Sequence, residues 1–273
     1  MNFLILMLGV AMAADWKSLE DFRKNAEDSI KKNWLVVVGL EWLQEGKPYS
    51  WPAHNPVLIF EMKKKKVTVR VLDDQDVKID GKPIKKDKTY SLLSDKSDFK
   101  TTIEKGSFQL FIIDRPKGLG VRIKDLQSEA LKSFAGIPWW EPKEDYIAKG
   151  AWKKLKPVRT IKIPDIQGEI TEEKISGFVE FELQGQKQEL YPTQDGSKLF
   201  FVFKDLTSGK SSYGPGRFLS AELAKDGTVV MDFNRATNPP CAYISFATCP
   251  LPPIENYLKI AIEAGAQKPA KGH

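Results

Sequence analysis

The stretch Val67-Thr-Val-Arg-Val71 alternates branched apolar residues with polar ones. A period of two is typical of a β-strand with one buried face. The same alternation, or an apolar run of strand length, recurs from residue 34 onward, and turn sequences such as Asp80-Gly81 and Asp226-Gly227 separate the runs. The pattern predicts a mostly β fold of antiparallel β-sandwich or barrel-like domains.

One segment ahead of the strands has a helical period instead. This stripe predicts one amphipathic helix over residues 14–33, packed against the first sheet. Its apolar residues recur at steps of three and four between charged ones, at Trp16, Leu19, Phe22, Ala26 and Ile30.

The length of 273 residues exceeds the usual size of one domain, so two β domains are predicted. Apolar residues make up 41% of the chain and aromatic residues 11%, which argues against global disorder. Strand-like runs in the second half, from Val158 to residues 258–262, predict roughly seven strands. The predicted parts are a first β domain at 34–127, a Trp- and Pro-rich connector at 128–156, a second β domain at 157–266 and a loose tail at 267–273.

The N-terminal residues have the composition of an export signal. Residues 2–10 are nearly all apolar, and Ala11-Met-Ala13 places small residues at the two positions that a signal peptidase reads, although no Lys or Arg precedes the run. A bilayer span needs about 20 apolar residues, so this shorter run predicts no membrane span. We expect a signal peptide at 1–13, cleavage before Ala14 and an exported protein, periplasmic or extracellular.

The two cysteines, Cys241 and Cys249, lie in one Pro-rich segment. An even pair in an exported chain favours a disulfide, and the alternatives are two free buried thiols or a metal or catalytic role. A zinc site is disfavoured because zinc takes about four ligands, and His54 and His273 are the only histidines. Neither a metal nor a cofactor is predicted.

The formal charge of +6 comes from 42 Lys and Arg against 36 acidic residues. Both signs are interspersed, so a nucleic-acid partner is disfavoured. The densest basic stretch, Lys63-Lys-Lys-Lys66, is predicted to form a turn and a solvated edge, with contact to an anionic surface as the alternative.

Several enzyme classes lack the residues that they need. His54 is the only internal histidine, so a Ser-His-Asp or Cys-His arrangement would have to use it. The motifs His-Glu-x-x-His and Gly-x-Ser-x-Gly are absent, and Gly209-Lys-Ser211 lacks the first glycine of a phosphate loop, where Lys204 stands. Nucleotide hydrolysis and zinc proteolysis are therefore disfavoured.

Polar residues interrupt the strand pattern in the second half and form the candidate site. Asp232 and Asn234 are two residues apart and are expected to share a strand face. The turn at Asp226-Gly227 is expected to make the strands on either side antiparallel partners, which brings Arg217 to the same rim. Seven residues are predicted to converge at one end of the second domain: Asp205, Tyr213, Arg217, Asp232, Asn234, Arg235 and Asn238.

Three functions fit such a cluster in an exported protein of unassigned activity. An Asp that orients one Arg leaves another guanidinium or an Asn amide free for a small polar or anionic ligand, or for a partner. An Asp could instead act as the general base of a hydrolase, with Arg and Asn stabilising negative charge. The third function is purely structural, with the cluster forming a salt-bridge network that fastens the Pro-rich loop.

Three motifs carry a resemblance to a known family: Tyr213-Gly-Pro-Gly-Arg-Phe-Leu219, Asp232-Phe-Asn-Arg-Ala-Thr-Asn-Pro-Pro-Cys241 and Ala247-Thr-Cys-Pro-Leu-Pro-Pro253. They resemble the signature of the bacterial domain-of-unknown-function family 1684. Residues 38–46 and 118–125 look like the N-terminal half of that family, so the resemblance extends over nearly all of the mature chain. The chain departs from the pattern at Thr237, where an aromatic residue is expected, and at Tyr257, where Arg is expected. The resemblance implies family membership and no activity.

Overall fold

The computed structural model describes residues 15–270. A helix, α1 (Trp16–Ile30), opens the described chain and continues as one π-helical turn, Lys31–Leu35. The side chain of Asp15 caps α1 by accepting a hydrogen bond from the backbone N–H of Ser18 at 3.0 Å. Residues 1–14, with the predicted signal peptide, lie outside the described residues, as do residues 271–273.

The first half of the chain folds into two antiparallel sheets. One sheet has the strand order β1-β10-β9-β8-β5-β6 and the other has the order β2-β3-β4-β7. The strands are β1 (Val37–Trp42), β2 (Tyr49–Trp51), β3 (Leu58–Lys63), β4 (Lys66–Val71), β5 (Val77–Ile79), β6 (Lys82–Pro83), β7 (Thr89–Leu92), β8 (Ile103–Lys105), β9 (Phe108–Arg115) and β10 (Gly118–Asp125).

The two sheets enclose one hydrophobic core, to which both contribute. Val67, Val69 and Val71 of β4 are buried in it, while Arg70 between them is exposed. Burying a side chain of this type contributes about 1.5–3 kcal/mol. The alternation that predicted a strand therefore also identified its buried face.

The second half begins with a short helix, α2 (Glu129–Lys132), and contains two further sheets. Their strand orders are β13-β12-β11-β17 and β14-β15-β16, and the ladders are antiparallel. Phe201, Phe203 and Phe233 are fully buried in the core between them. The strands are β11 (Ile147–Pro164), β12 (Ile170–Leu183), β13 (Gln186–Leu190), β14 (Thr193–Asp195), β15 (Lys198–Phe203), β16 (Arg217–Glu222) and β17 (Thr228–Asp232).

The fold class is confirmed: within residues 15–270 the chain is mostly β, begins with a helix and has antiparallel sheets packed as sandwiches, without a closed barrel. No helix among these residues is long and apolar enough to span a bilayer.

Three details of the strand prediction are wrong. Strand β11 begins at Ile147 and not at Val158, because 147–151 pair with β17. Residues 258–262 form no strand. Their apolar side chains alternate with exposed or half-buried ones because this irregular segment covers the core. The strands beside Asp226-Gly227 are not ladder partners, since β16 pairs with β15 and β17 pairs with β11.

The position of α1 and the C-terminal tail also differ from expectation. Ile30 and Leu35 pack in a third core with Ile137 of the connector and with the Pro-rich loop 238–253, rather than only against the first sheet. In the predicted loose tail, the backbone N–H of Gln267 donates to the carbonyl of Pro138 at 2.8 Å.

Cys241 and Cys249 form the predicted disulfide, with their Cα atoms 6.3 Å apart. The bond lies in the third core. The loop that it closes also holds the tip of the β11–β12 hairpin, because the carbonyl of Cys249 accepts from the N–H of Ile166 at 2.9 Å and the carbonyl of Pro164 accepts from the N–H of Leu251 at 2.7 Å.

We expect the Cys241→Ala, Cys249→Ala double variant to lose roughly 2–3 kcal/mol of unfolding free energy, because a closed loop of this size restricts the unfolded chain by that amount. Guanidinium denaturation of wild type and variant measures the loss. As a control, thiol labelling of denatured wild type without reductant should give no label, and two labelled cysteines would contradict the disulfide.

Candidate functional site

The seven predicted residues are distributed over three groups near the C-terminal segment 262–267, and the first and third groups donate hydrogen bonds to its backbone. Asp205 and Arg217 form the first group and contact the segment directly. The second group is Asp232, Asn234 and Arg235, and the third is Tyr213 with Asn238 in the Pro-rich region.

Arg217 and Asp205 form a fully buried ion pair. The Nη2 atom of Arg217 donates to Oδ2 of Asp205 at 2.8 Å, and the two side chains are 0% and 1% exposed. Gly216 precedes Arg217 with a φ of 119°, and a Cβ at this position would lie 2.7 Å from the carbonyl oxygen of Phe203. Only glycine permits this approach, which explains the second glycine of the Gly-Pro-Gly-Arg motif.

The Nη atoms of Arg217 also donate to the backbone of the C-terminal segment, whereas its buried Nε has no hydrogen-bond partner among residues 15–270. Nη2 also donates to the carbonyl of Ile262 at 2.8 Å, and Nη1 donates to the carbonyls of Ala264 and Ala266. The guanidinium lies 5.2 Å from the ring of Trp140. Burial lowers the pKa of Arg217, while Asp205 raises it.

Neither carboxylate oxygen of Asp205 is open to a substrate. Its Oδ1 atom accepts from the N–H of Thr207 at 2.8 Å, from the hydroxyl of Thr207 at 2.6 Å and from the N–H of Ile262 at 3.2 Å. Its other oxygen accepts from Arg217. A general base must reach a substrate, and this carboxylate reaches only the protein interior.

The second group joins α1 and the connector to the second domain. Oδ2 of Asp232 accepts from Nε of Arg235 at 3.0 Å, and Nη2 of Arg235 donates to the hydroxyl of Ser18 in α1 at 2.9 Å. The Asn234 side chain exchanges two hydrogen bonds with the backbone of Lys143, at 3.0 and 2.9 Å. This group is partly open, with side chains of Asp232 and Arg235 that are 19% and 28% exposed.

Arg23 belongs to the same contact surface and was missed by the sequence reasoning. It donates to the carbonyl of Trp140 at 2.9 Å and lies 4.9 Å from the ring of Trp139. Burial lowers its pKa, and Glu141 and Asp232 oppose this shift. The sequence showed only that Arg23 lies directly beside the apolar stripe of a helix. Many surface helices have an Arg in this position, so it did not indicate a contact.

The third group braces the Pro-rich loop. The hydroxyl of Tyr213 donates to the carbonyl of Cys241 at 3.0 Å, and the side-chain nitrogen of Asn238 donates to the carbonyl of Gln267 at 2.7 Å. Burial raises the pKa of Tyr213, and it raises the pKa of Tyr243 in the same loop to about 12. Both phenols therefore stay neutral in this loop at ordinary pH.

A second candidate site lies in the first domain, where the two sheets part at one end. This feature, which we call the sheet-end cleft, has a volume of about 630 Å³. Its mouth carries Lys65, Lys66, Arg115 and Lys117. The positive φ of Lys64 and Lys65 confirms the turn predicted for the lysine run, but the sequence did not indicate that this turn borders a cleft. The apolar floor consists of Leu43, Met62, Val67, Leu92, Ile112 and Leu119.

Comparison with known proteins gives a family and no activity. Residues 132–267 match the model of the family described as "Protein of unknown function (DUF1684)". The resemblance at residues 38–46 and 118–125 lies outside this match. An uncharacterized protein of Haloarcula marismortui, solved in solution by NMR, is similar at 27% identity over 50% of this chain and 78% of that chain, with a TM-score of 0.41. No curated protein matches the chain.

We expect Arg217→Met to lower the unfolding free energy by about 3–5 kcal/mol, because it leaves the carboxylate of Asp205 buried without its cation. Chemical denaturation measures the change. Asp205→Asn combined with Arg217→Met should recover part of the loss, since the stranded charge is then removed.

The matched control is Arg159→Ala, which breaks an ion pair with Glu255 of similar length, 2.7 Å, whose arginine is 53% exposed. Exposed pairs of this kind contribute about 0.2–1 kcal/mol. If Arg217→Met cost no more than Arg159→Ala, the buried pair would not hold the fold.

Proposed function

We propose that this chain, which belongs to the DUF1684 family of proteins of unknown function, is an exported, non-catalytic protein that binds a small anionic ligand. One contrast supports the proposal. The buried ion pair of Asp205 and Arg217 has only internal partners, whereas the sheet-end cleft is open and bordered by lysines. Binding sites of proteins are typically concave, apolar clefts with a few polar groups.

The hydrolase alternative finds little support in the two candidate bases. Asp205 is enclosed by Thr207, Ile262 and Arg217. Asp232 is more open, but its two oxygens accept from Asn234 and Arg235, and both partners are themselves fixed by other contacts.

In this proposal the predicted cluster is the structural network that the sequence left open as an alternative. Asp205 and Arg217 hold the C-terminal segment, Asp232 and Arg235 hold α1, and Tyr213 with Asn238 holds the Pro-rich loop. A purely structural protein would account for this network but not for an open cleft in which the exposed Leu93 lies beside several cations.

Export is supported by three features. The apolar run with Ala11-Met-Ala13 has the form of a signal peptide, and the disulfide favours an oxidising compartment, periplasmic or extracellular. The helix α1 begins at Trp16 with its cap at Asp15, directly after the proposed cleavage site. Cleavage before Ala14 would therefore leave the capped helix intact.

We expect the protein recovered from its native host to begin at Ala14. Intact-mass measurement of the purified soluble protein decides this, because the loss of residues 1–13 changes the mass by a defined amount. Cytoplasmic expression of the same gene with the export machinery blocked provides the uncleaved control. A soluble mature protein that retains Met1 would overturn the proposed export.

We expect a thermal-shift screen of anionic and neutral metabolites to raise the melting temperature with anionic compounds only, since a ligand that binds the native state stabilises it by mass action. The screen is repeated on Lys66→Gln, Lys117→Gln and on Arg235→Ala. Loss of the shift in the lysine variant supports the sheet-end cleft. Loss in Arg235→Ala alone would place binding at the cluster, and no shift with any compound would overturn the binding function.

A further inference from the structure

We propose that the sheet-end cleft binds one single-chain amphiphile, with its hydrocarbon tail on the apolar floor and its anionic head group, a carboxylate or a phosphate, at the lysines of the mouth. This inference rests on the proposed binding function and adds the chemical class of the ligand.

The floor of the cleft is part of the core of the first domain. Val67 and Leu92 face each other across β4 and β7, and Ile112 lies beneath them in β9 of the opposite sheet. Because Val67, Leu92 and Ile112 are buried, the apolar surface open to a tail comes from the half-buried Met62 and Leu119 and from the exposed Leu93. Burial of hydrocarbon contributes about 25 cal/mol per Å² of apolar surface removed from water.

The cleft is bordered by two turns and by the segment after β7, which pairs with β9 through the bridge between Ser94 and Ile112. The two turns are the β3–β4 turn with Lys65 and the β9–β10 turn with Lys117. Leu93, directly after β7, lies at the mouth and is 51% exposed. Its exposure extends the apolar lining from the core to the surface, which suits a ligand longer than a single ion.

The charges at the mouth favour an anionic head group. Arg115 is already paired with Asp95 at 2.7 Å. Within residues 15–270, Lys65, Lys66 and Lys117 have no ion-pair partner, and Asp114 is the only acidic residue that lines the cleft. Three serines of the lining add hydroxyl donors: Ser91, Ser94 and Ser97.

The apolar lining and the lysines of the mouth together disfavour ligands that have only a charge or only a hydrocarbon chain. Inorganic phosphate would use the lysines and leave the apolar surface of Leu93, Met62 and Leu119 in water, whereas a neutral hydrocarbon would leave the cations without a counter-charge. A carboxylate or phosphate at the end of an alkyl chain satisfies both, since lysine ammonium groups bind such anions as point charges.

The test is calorimetric titration of the mature protein with dodecanoate and dodecyl phosphate, each below its micelle concentration. Dodecanol, acetate and inorganic phosphate serve as ligands that lack the head group or the tail. We expect the two amphiphiles to bind at one site per chain, dodecanol to bind at least fivefold more weakly, and the two tail-free anions to give no saturable heat.

Two variants separate the head-group contacts from the tail contacts. Lys66→Gln, Lys117→Gln should weaken dodecanoate about fivefold, as expected for two exposed ion pairs, and leave dodecanol unchanged. Leu93→Asp, which places a carboxylate at the mouth, should weaken dodecanoate at least tenfold. Leu126→Asp is its matched control, because Leu126 is 47% exposed and lies outside the cleft.

Several results would overturn the inference. Equal binding of dodecanol and dodecanoate would remove the role of the lysines, and saturable binding of phosphate alone would remove the role of the floor. Flotation with anionic phospholipid vesicles, or a dimer that Leu93→Asp dissociates, would assign the cleft to a membrane or to a second copy of the chain.

The inference and the proposed function can fail separately. If neither amphiphile binds but another anion from the thermal screen stabilises the protein, the inference fails and the binding function stands. If no compound in either experiment binds, both fail.

Discussion

Arg217 is a cation with no access to water, and the second half of the chain supplies hydrogen-bond partners to both of its Nη atoms. One carboxylate and three backbone carbonyls surround the guanidinium. The carbonyls come from residues 262–266, a segment that belongs to none of the four sheets, and Gly265 allows the segment to turn with a φ of 78°. Because a buried charge without partners costs several kcal/mol, Arg217 helps to determine the path of the C-terminal residues, together with the hydrophobic core.

The alternation of apolar residues predicted the strands well wherever hydrogen-bonded neighbours and burial coincide, as at Val67–Val71. It failed where burial occurs without a ladder, as at residues 258–262, because the pattern reports which side chains face a core and not what the backbone pairs with. The starting point of β11 was missed because its buried residues there are Ala148 and Gly150, whose small size gives little apolar alternation.

The members of the polar cluster were recognisable because Arg, Asp and Asn interrupt otherwise apolar strands. Their partners were not, since many of them are backbone groups: the carbonyl of Ile262 for Arg217 and the peptide of Lys143 for Asn234. A backbone group has no residue type, so the sequence carries no signal for it. The sheet-end cleft was invisible for a related reason, because its lining comes from two sheets whose packing the sequence does not specify.

The helix α1 precedes the first β domain in sequence but is fastened to the second one through Ser18 and Arg23. The polypeptide thus crosses from one half to the other more than once. The two halves therefore do not simply follow one another along the sequence. A fragment cut near residue 132, where the family match begins, would part Arg235 from Ser18 and uncover the apolar side of the Pro-rich loop. The packing around the Pro-rich loop therefore includes residues of α1, which lie outside the region by which the family is recognised.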